Sequence, residues 1–156
     1  MINQLIIFSA KYLYLLVIAI TVLFFIKQPR DIQKQLLIFG IITLPAAYII
    51  AKLAGFLYYD PRPFIQGGFT PLIPHAADNG FPSDHALLSA AISTAISPFN
   101  KKISVILWIL TAIIGLSRVL AGIHHLIDIF GSIIISVIAG YLAYQIIEKK
   151  KTVEVK

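Results

Sequence analysis

The 156-residue chain has no cysteine, one methionine, one tryptophan and only seven acidic residues against thirteen lysines and arginines. The missing cysteines exclude disulfides and thiolate metal sites, and leave the compartment open. Charge is scarce as well: 13% of the residues are charged and 58% are hydrophobic. That is too little polar surface and too much apolar material for a soluble domain, and it predicts an all-α, polytopic integral membrane protein. The net charge of +6 does not point to nucleic acid, because the basic residues cluster in short segments between apolar runs, as the positive-inside pattern requires. No nucleic-acid partner is expected. The N-terminus lacks a charged leader region and a small-residue cleavage site, so its apolar run is expected to be a retained span rather than a signal peptide.

A span needs about 20 mostly apolar residues, and about five segments qualify. The first runs from Leu5 to Ile26 and ends at Lys27-Gln28-Pro29-Arg30-Asp31. The second runs from Leu36 to Tyr58, where Asp60-Pro61-Arg62-Pro63 makes continuation of the helix unfavourable. Gly67-Gly68, Pro71, Pro74 and Asp78-Asn79-Gly80 then mark a long extramembrane loop, able to act as a lid. A third span is expected from Pro82 to Pro98, a fourth from Ile103 to Leu120 and a fifth from Ile123 to Ile147. There is no internal repeat, low-complexity segment or domain boundary, so residues 1–148 are read as one membrane domain. Residues 149–156 are read as a cytoplasmic basic tail, expected to be disordered. Placing Lys27, Arg30, Lys34, Lys101, Lys102 and the Lys149-to-Lys151 run in the cytoplasm puts the N-terminus outside. Lys52, Arg62, Ser83, His85, Arg118, His124 and Asp128 then converge on the opposite, extracytoplasmic interface from three separate parts of the sequence.

The most informative stretch is Ser117-Arg118-Val119-Leu120-Ala121-Gly122-Ile123-His124-His125-Leu126-Ile127-Asp128. A guanidinium and a carboxylate in such apolar sequence are costly unless they face a polar cavity or do chemistry. If a helix starts near Ile123, His124 and Asp128 stand at i and i+4. The carboxylate can then accept from one ring nitrogen and leave the other free, the usual way a nucleophilic histidine is oriented. Arg118 offers a planar fork suited to phosphate oxygens. Phosphoryl transfer to histidine is the chemistry suggested.

Three motifs, in order, make the chain resemble the type 2 phosphatidic acid phosphatase family of membrane lipid phosphatases, which is related to the vanadium haloperoxidases. A lysine followed by Arg-Pro is answered by Lys52 and Arg62-Pro63, and Pro-Ser-Gly-His by Pro82-Ser83-Asp84-His85. Ser-Arg, five residues, His, three residues, Asp is met without gaps by Ser117-Arg118, His124 and Asp128. The resemblance implies an acid phosphatase/haloperoxidase-like helical core, with His124 as nucleophile, His85 as general acid and base, and Asp128 as orienting carboxylate. Lys52, Arg62, Ser83 and Arg118 would hold the phosphate. There are two departures. Nine residues lie between Lys52 and Arg62, where the family has six, and the position expected for the lysine is Gly55; the shift moves it about 60° around a helix and one turn further off. Asp84 replaces glycine and puts a carboxylate beside the phosphate site. Pro-Ser-Asp-His is similar to the bacterial branch acting on undecaprenyl diphosphate.

The bland alternatives are a hydrogen-bonded interface histidine for His85 or His124 alone, an interfacial anchor for Arg62, and an N-cap for Ser83. His75 and His125 match no motif position and are expected to be loop or interface residues. Two histidines and an aspartate could ligate zinc, but the neighbouring guanidiniums oppose a cation and can themselves neutralise phosphate. No metal or other cofactor is expected. The predicted activity is hydrolysis of undecaprenyl diphosphate to undecaprenyl phosphate through phosphohistidine. A phosphatidic acid or phosphatidylglycerolphosphate phosphatase is the alternative within the class, and a non-catalytic lipid-binding or transport protein on the same scaffold the alternative outside it.

Overall fold

Long apolar runs closed by proline and charged residues produce long helices in the computed structural model, which describes residues 1–154, with side chains described as far as residue 147. Six helices follow in order: α1 (Ile2–Ile26), α2 (Arg30–Leu57), α3 (Pro63–Gly67), α4 (Asp84–Ile96), α5 (Lys101–Leu120) and α6 (Leu126–Glu154). Helix α2 starts directly after Pro29 with Asp31 in its first turn, where a carboxylate complements the helix dipole. It stops at Tyr58, whose extended backbone leads into Asp60-Pro61. Helix α5 is capped by the Asn100 side chain, which accepts from Ile103 N at 3.0 Å.

Four of these helices, α1, α2, α5 and α6 as far as Ile147, are long and apolar enough to cross a membrane. The expected third span is shorter than its sequence suggests. Pro82 lies in a bend and Ser83 in extended backbone ahead of it, and the helix proper has 13 residues, about 20 Å against a hydrocarbon thickness of about 30 Å. It does not face lipid alone. Nine of those 13 residues are buried, and α4 packs against α1, α2, α5 and α6 as the central post of the bundle.

Small residues let the helices approach closely, as membrane helix packing favours. Ala47 and Ala51 of α2, Ala91 of α4 and Ala139 of α6 pack in one cluster. Buried serines tie the post to its neighbours: Ser136 Oγ donates to Leu87 O at 3.1 Å, Ser132 Oγ to Ser83 O at 2.9 Å, and Ser104 Oγ to Ser93 O at 3.0 Å. The outward faces carry exposed Leu, Ile, Val, Phe and Tyr side chains, a surface suited to acyl chains.

The end of α2, the start of α4, the end of α5 and the start of α6 lie at one end of the bundle, beside Ala10 near the start of α1. Lys27, Arg30, Lys34, Lys101 and Lys102 lie at the α1–α2 and α4–α5 turns, at the other end. The helical backbone of α6 continues to Glu154, past the span end expected at Ile147 and into the stretch expected to be disordered. The side chains of the tail expected over 149–156 lie outside the described residues.

Candidate active site

Helix α5 delivers Arg118 in its last turn and then breaks at Gly122, whose φ of +76° is left-handed backbone that glycine adopts without strain. The chain re-enters a helix at Leu126, three residues later than expected, so His124 stands in the turn rather than on the helix. The expected pairing is present all the same. His124 Nδ1 lies 3.1 Å from Asp128 Oδ2, and the same oxygen accepts from His125 N at 2.9 Å. His124 and Asp128 are almost wholly buried, at 2% and 0% exposure.

The other ring nitrogen faces two guanidiniums. Arg62 Nη1 is 3.3 Å and Arg118 Nη2 3.2 Å from His124 Nε2. A guanidinium can only donate, so Nε2 is the accepting nitrogen and Nδ1 carries the proton given to Asp128. This tautomer leaves a lone pair at Nε2 between two fixed positive charges. Burial, aided by the charges of Arg118 and Arg62, holds the His124 pKa below the ordinary imidazole range against the opposing hydrogen bond from Asp128. The ring is therefore unprotonated at neutral pH.

Both arginines are anchored from behind. Arg118 Nη1 donates to Ala10 O at 3.1 Å, while Arg62 gives Nη1 to Ile123 O at 2.8 Å and Nε to Asp78 Oδ1 at 2.7 Å. Burial would raise the Asp78 carboxyl, but the hydrogen bond and charge of Arg62 outweigh it and hold it below the usual carboxylate range. Ser83 occupies the N-cap position of α4, yet its hydroxyl makes no capping bond. Its Oγ and Arg118 Nε are buried with no protein partner among the described residues. Such orphaned polar atoms mark where a polar ligand completes the site.

His85, the second residue of α4, is half-buried, its ring edge-on to Tyr14 with centroids 4.9 Å apart, and it lies within electrostatic reach of Arg118 and His124. Lys52 stands apart from the cluster at His124. It is exposed on α2, with Nζ 5.1 Å from the centroid of the Tyr48 ring. It lines a cavity of about 280 Å³ together with Arg62, Asp78 and Asp84. That cavity shares Lys52 and Asp84 with a second of about 340 Å³ along α2 and α4, which in turn shares Leu44 with an apolar cavity of about 530 Å³ between α1, α2 and α4. Lys52 and Asp84 thus border both of the smaller cavities, and Leu44 borders the apolar one.

Several residues at this site escaped the sequence reading. Asp60, 8% exposed, receives His125 Nδ1 on its Oδ2 at 2.9 Å, which moves His125 from an expected interface residue into the site. Burial and the Asp128 charge raise the Asp60 carboxyl above the usual range, with His125 opposing. Asn79 uses its whole amide: Oδ1 accepts from Asp60 N and Phe81 N, and Nδ2 donates to Gly55 O and Tyr58 O. It ties the supposed lid to the end of α2. The His75 ring stands edge-on to that of His124, with ring centroids 6.3 Å apart. The available signal was an acidic residue directly ahead of Pro61-Arg62-Pro63, at the end of an apolar run where carboxylates are costly.

A cation could find ligands here only in Asp60, His125 and Asp128, each offering an atom within 4.8 Å of the others, among the described residues. Those side chains already bond one another or His124.

The sequence pattern of the PAP2 superfamily matches residues 12–152. The chain belongs to this superfamily. Among PAP2 relatives, the undecaprenyl-diphosphatase BcrC of Bacillus subtilis is 39% identical over 113 residues, covering 72% of this chain and 58% of that protein. This chain thus spans less than two thirds of that relative's length. The PAP2 fold is shared with the crystal structure of LpxE from Aquifex aeolicus, at a TM-score of 0.71 and 24% identity over 91% of this chain and 86% of that one. It is shared also with a PAP2-type phosphatidylglycerolphosphate phosphatase from Bacillus subtilis, at a TM-score of 0.62 and 24% identity over 95% and 77%. The helical architecture expected from composition is therefore that of a multi-pass PAP2 membrane protein.

Proposed function

We propose that this PAP2 protein is a metal-independent membrane lipid phosphatase that removes the terminal phosphate of undecaprenyl diphosphate through a phosphohistidine at His124. One observation carries the reading: a buried imidazole whose Nδ1–H is held by Asp128 presents its Nε2 lone pair between two guanidiniums. In the first step Nε2 bonds to the terminal phosphorus as the bond from phosphorus to the bridging oxygen breaks. Arg62 and Arg118 turn their N–H groups from Nε2 to the equatorial oxygens, which spread the charge of the transition state. Ser83 Oγ completes the cradle, and His85 protonates the departing oxygen. In the second step water yields a proton to His85 and attacks phosphorus, the N–P bond breaks, orthophosphate leaves, and His124 regains its lone pair.

Lys52 faces the cavity beside Arg62, so its ammonium is available to the phosphate on the leaving side. Asp84 shares that cavity wall, where the α4 N-terminus favours its charge. The apolar cavities beyond them suit a prenyl or acyl tail. Residues 1–148 form the phosphatase domain and 149–156 the cytoplasmic tail, and the basic turns at the end opposite His124 favour an extracytoplasmic site.

The similarity to the Bacillus subtilis undecaprenyl-diphosphatase ranks this substrate first. The fold shared with a phosphatidylglycerolphosphate phosphatase keeps lipid monophosphates as the second reading. The deciding experiment is phosphate release by purified protein in detergent from undecaprenyl diphosphate, phosphatidic acid and phosphatidylglycerolphosphate. Preference for the diphosphate supports the proposal, preference for a monophosphate supports the second reading, and no release from any of them leaves the non-catalytic alternative.

A further inference from the structure

Arg62 and His124 lie 62 positions apart, on different elements, and a phosphoryl-transfer site works only if the two keep their spacing. Arg62 follows the exit of α2; His124 rides in the turn between α5 and α6. Beside that pair runs a second connection which the mechanism does not use. The Asp60 carboxylate, two residues before Arg62, holds His125 Nδ1 at 2.9 Å, and the backbone N–H of His125 holds Asp128 Oδ2 at 2.9 Å.

The anchorage of Asp60 is unusually complete. Its backbone N–H donates to Asn79 Oδ1 at 2.9 Å, and its carbonyl accepts from Gly80 N at 2.8 Å. Gly80 also lies against the far side of the pair: a Cβ there would stand 3.0 Å from Asp128 Oδ2 and 3.1 Å from Asp60 O. A side chain at position 80 would have to displace one of them by a few tenths of an ångström. One imidazole thus joins the Arg62-bearing segment to the turn that carries the nucleophile and its orienting carboxylate.

We propose that Asp60 and His125 are positioning residues for the reaction, forming a brace that fixes Arg62 relative to the His124–Asp128 pair. The proposal rests on His124 being the phosphate-accepting group. The brace acts by geometry: without it the His125 peptide is free to turn, one of the two N–H donors to Asp128 Oδ2 is lost, and the imidazole leaves its line between the guanidiniums. A misplacement of about 1 Å at a reacting centre costs on the order of 100-fold in rate. Neither side chain touches the transferred phosphoryl group, so the loss falls on kcat and spares KM.

The test compares Asp60→Ala, His125→Ala, the double variant, and the conservative Asp60→Asn and His125→Asn, which keep an acceptor and a donor near the same atoms. Each single alanine variant is expected to lower kcat on undecaprenyl diphosphate by about 10- to 100-fold with KM within about threefold. The double variant is expected to lose no more than the worse single one, since two ends of one brace can be cut only once. The asparagine variants are expected to recover most of the loss. Multiplying losses in the double variant, a loss confined to KM, equal loss in asparagine and alanine variants, or unchanged rates would each overturn the brace. Orthovanadate binding to the same purified proteins, followed by calorimetry, separates this from the substrate assignment. Vanadate affinity should fall with kcat in the alanine variants and recover in the asparagine variants whichever lipid is hydrolysed. Unchanged vanadate affinity in the alanine variants would overturn the proposal even if undecaprenyl diphosphate proves to be the wrong substrate.

Discussion

The bond between His124 and Asp128 makes a demanding prediction for Asp128→Asn. The carboxylate is fully buried and accepts both His124 Nδ1–H and His125 N–H on Oδ2, so the substitution keeps the shape and removes the charge. A hydrogen bond to a charged group contributes about 1.5–3 kcal/mol. The imidazole gains positive charge as it takes up the phosphoryl group, so that energy is felt mainly in the transition state and lowers kcat by about 10- to 150-fold. The amide can also turn its NH2 toward Nδ1 and drive the proton to Nε2, where it would meet two guanidinium donors and remove the nucleophile. The pH dependence has a definite sign. Asp128 pulls the His124 pKa upward while burial and the two arginines hold it down. Removing Asp128's charge lowers it further, so the acid limb of kcat/KM, where His124 gains its proton, must move to lower pH. Phosphate release measured between pH 4.5 and 8 reads both effects. Activity within threefold of wild type at pH 7, or an acid limb displaced upward, would refute the reasoning.

His124→Ala is expected to abolish turnover while the protein still folds, because among the described residues the His124 ring is the one within hydrogen-bond reach of both Arg62 and Arg118; activity above a few per cent of wild type, measured as phosphate release, would assign the wrong histidine. Activity is expected to survive excess EDTA, and vanadate to inhibit; loss in chelator restored by zinc or magnesium would overturn the metal-free mechanism. The cysteine-free chain allows single-cysteine labelling: position 68 is expected to react from outside intact cells and position 101 not. His85→Ala is expected to cost a lipid monophosphate more than a diphosphate in the phosphorylation step. An alkoxide needs the proton that a departing phosphate, with a pKa of about 6, can do without; rapid mixing with labelled substrate and base-stable trapping of phosphohistidine measures it.

The long helices were legible because a membrane span writes itself as an uninterrupted apolar run. Helix α4 was harder: Pro82 and Pro98 bracket a run of ordinary span composition, but the residues next to each proline are spent on extended chain and turn. Its burial comes from four surrounding helices, and sequence alone does not say what surrounds a segment. Helix α3 was missed for a related reason, being a five-residue turn inside a stretch dominated by loop formers. At the site, the residues whose chemistry is expensive in apolar surroundings announced themselves: Arg62, Arg118, His124 and Asp128 are brought within hydrogen-bond reach as one cluster. Asp60, His125, Asp78 and Asn79 did not, because their roles arise from pairings across 16 to 65 positions that follow no helical or strand period. Asn79 is the clearest case. Its Asp-Asn-Gly context marks a turn, and only the fold reveals that its amide closes four hydrogen bonds around the end of α2.

The two departures from the family pattern explain each other once the fold is known. The family's lysine position is Gly55 here, and a Cβ at Gly55 would stand 2.9 Å from the Phe81 carbonyl oxygen. The segment leading to Ser83 therefore packs where a side chain would have to leave the helix, and a lysine at 55 would push that segment off the post. One turn earlier, Lys52 is exposed on α2 and lines the same cavity. Asp84, which replaces the family's glycine, lines that cavity too. A carboxylate alone beside a phosphate would repel it, and an ammonium alone would add to the charges of Arg62, already paired with Asp78, and Arg118. Together on one wall the two add no net charge, so the balance set by Arg62 and Arg118 at His124 is kept. They place a polar pair in the walls of both the 280 Å³ cavity and the 340 Å³ one along α2 and α4. If the lipid of the proposed reaction lies along these cavities, the phosphate that stays on it meets this pair, and a lipid monophosphate has no second phosphate to place there.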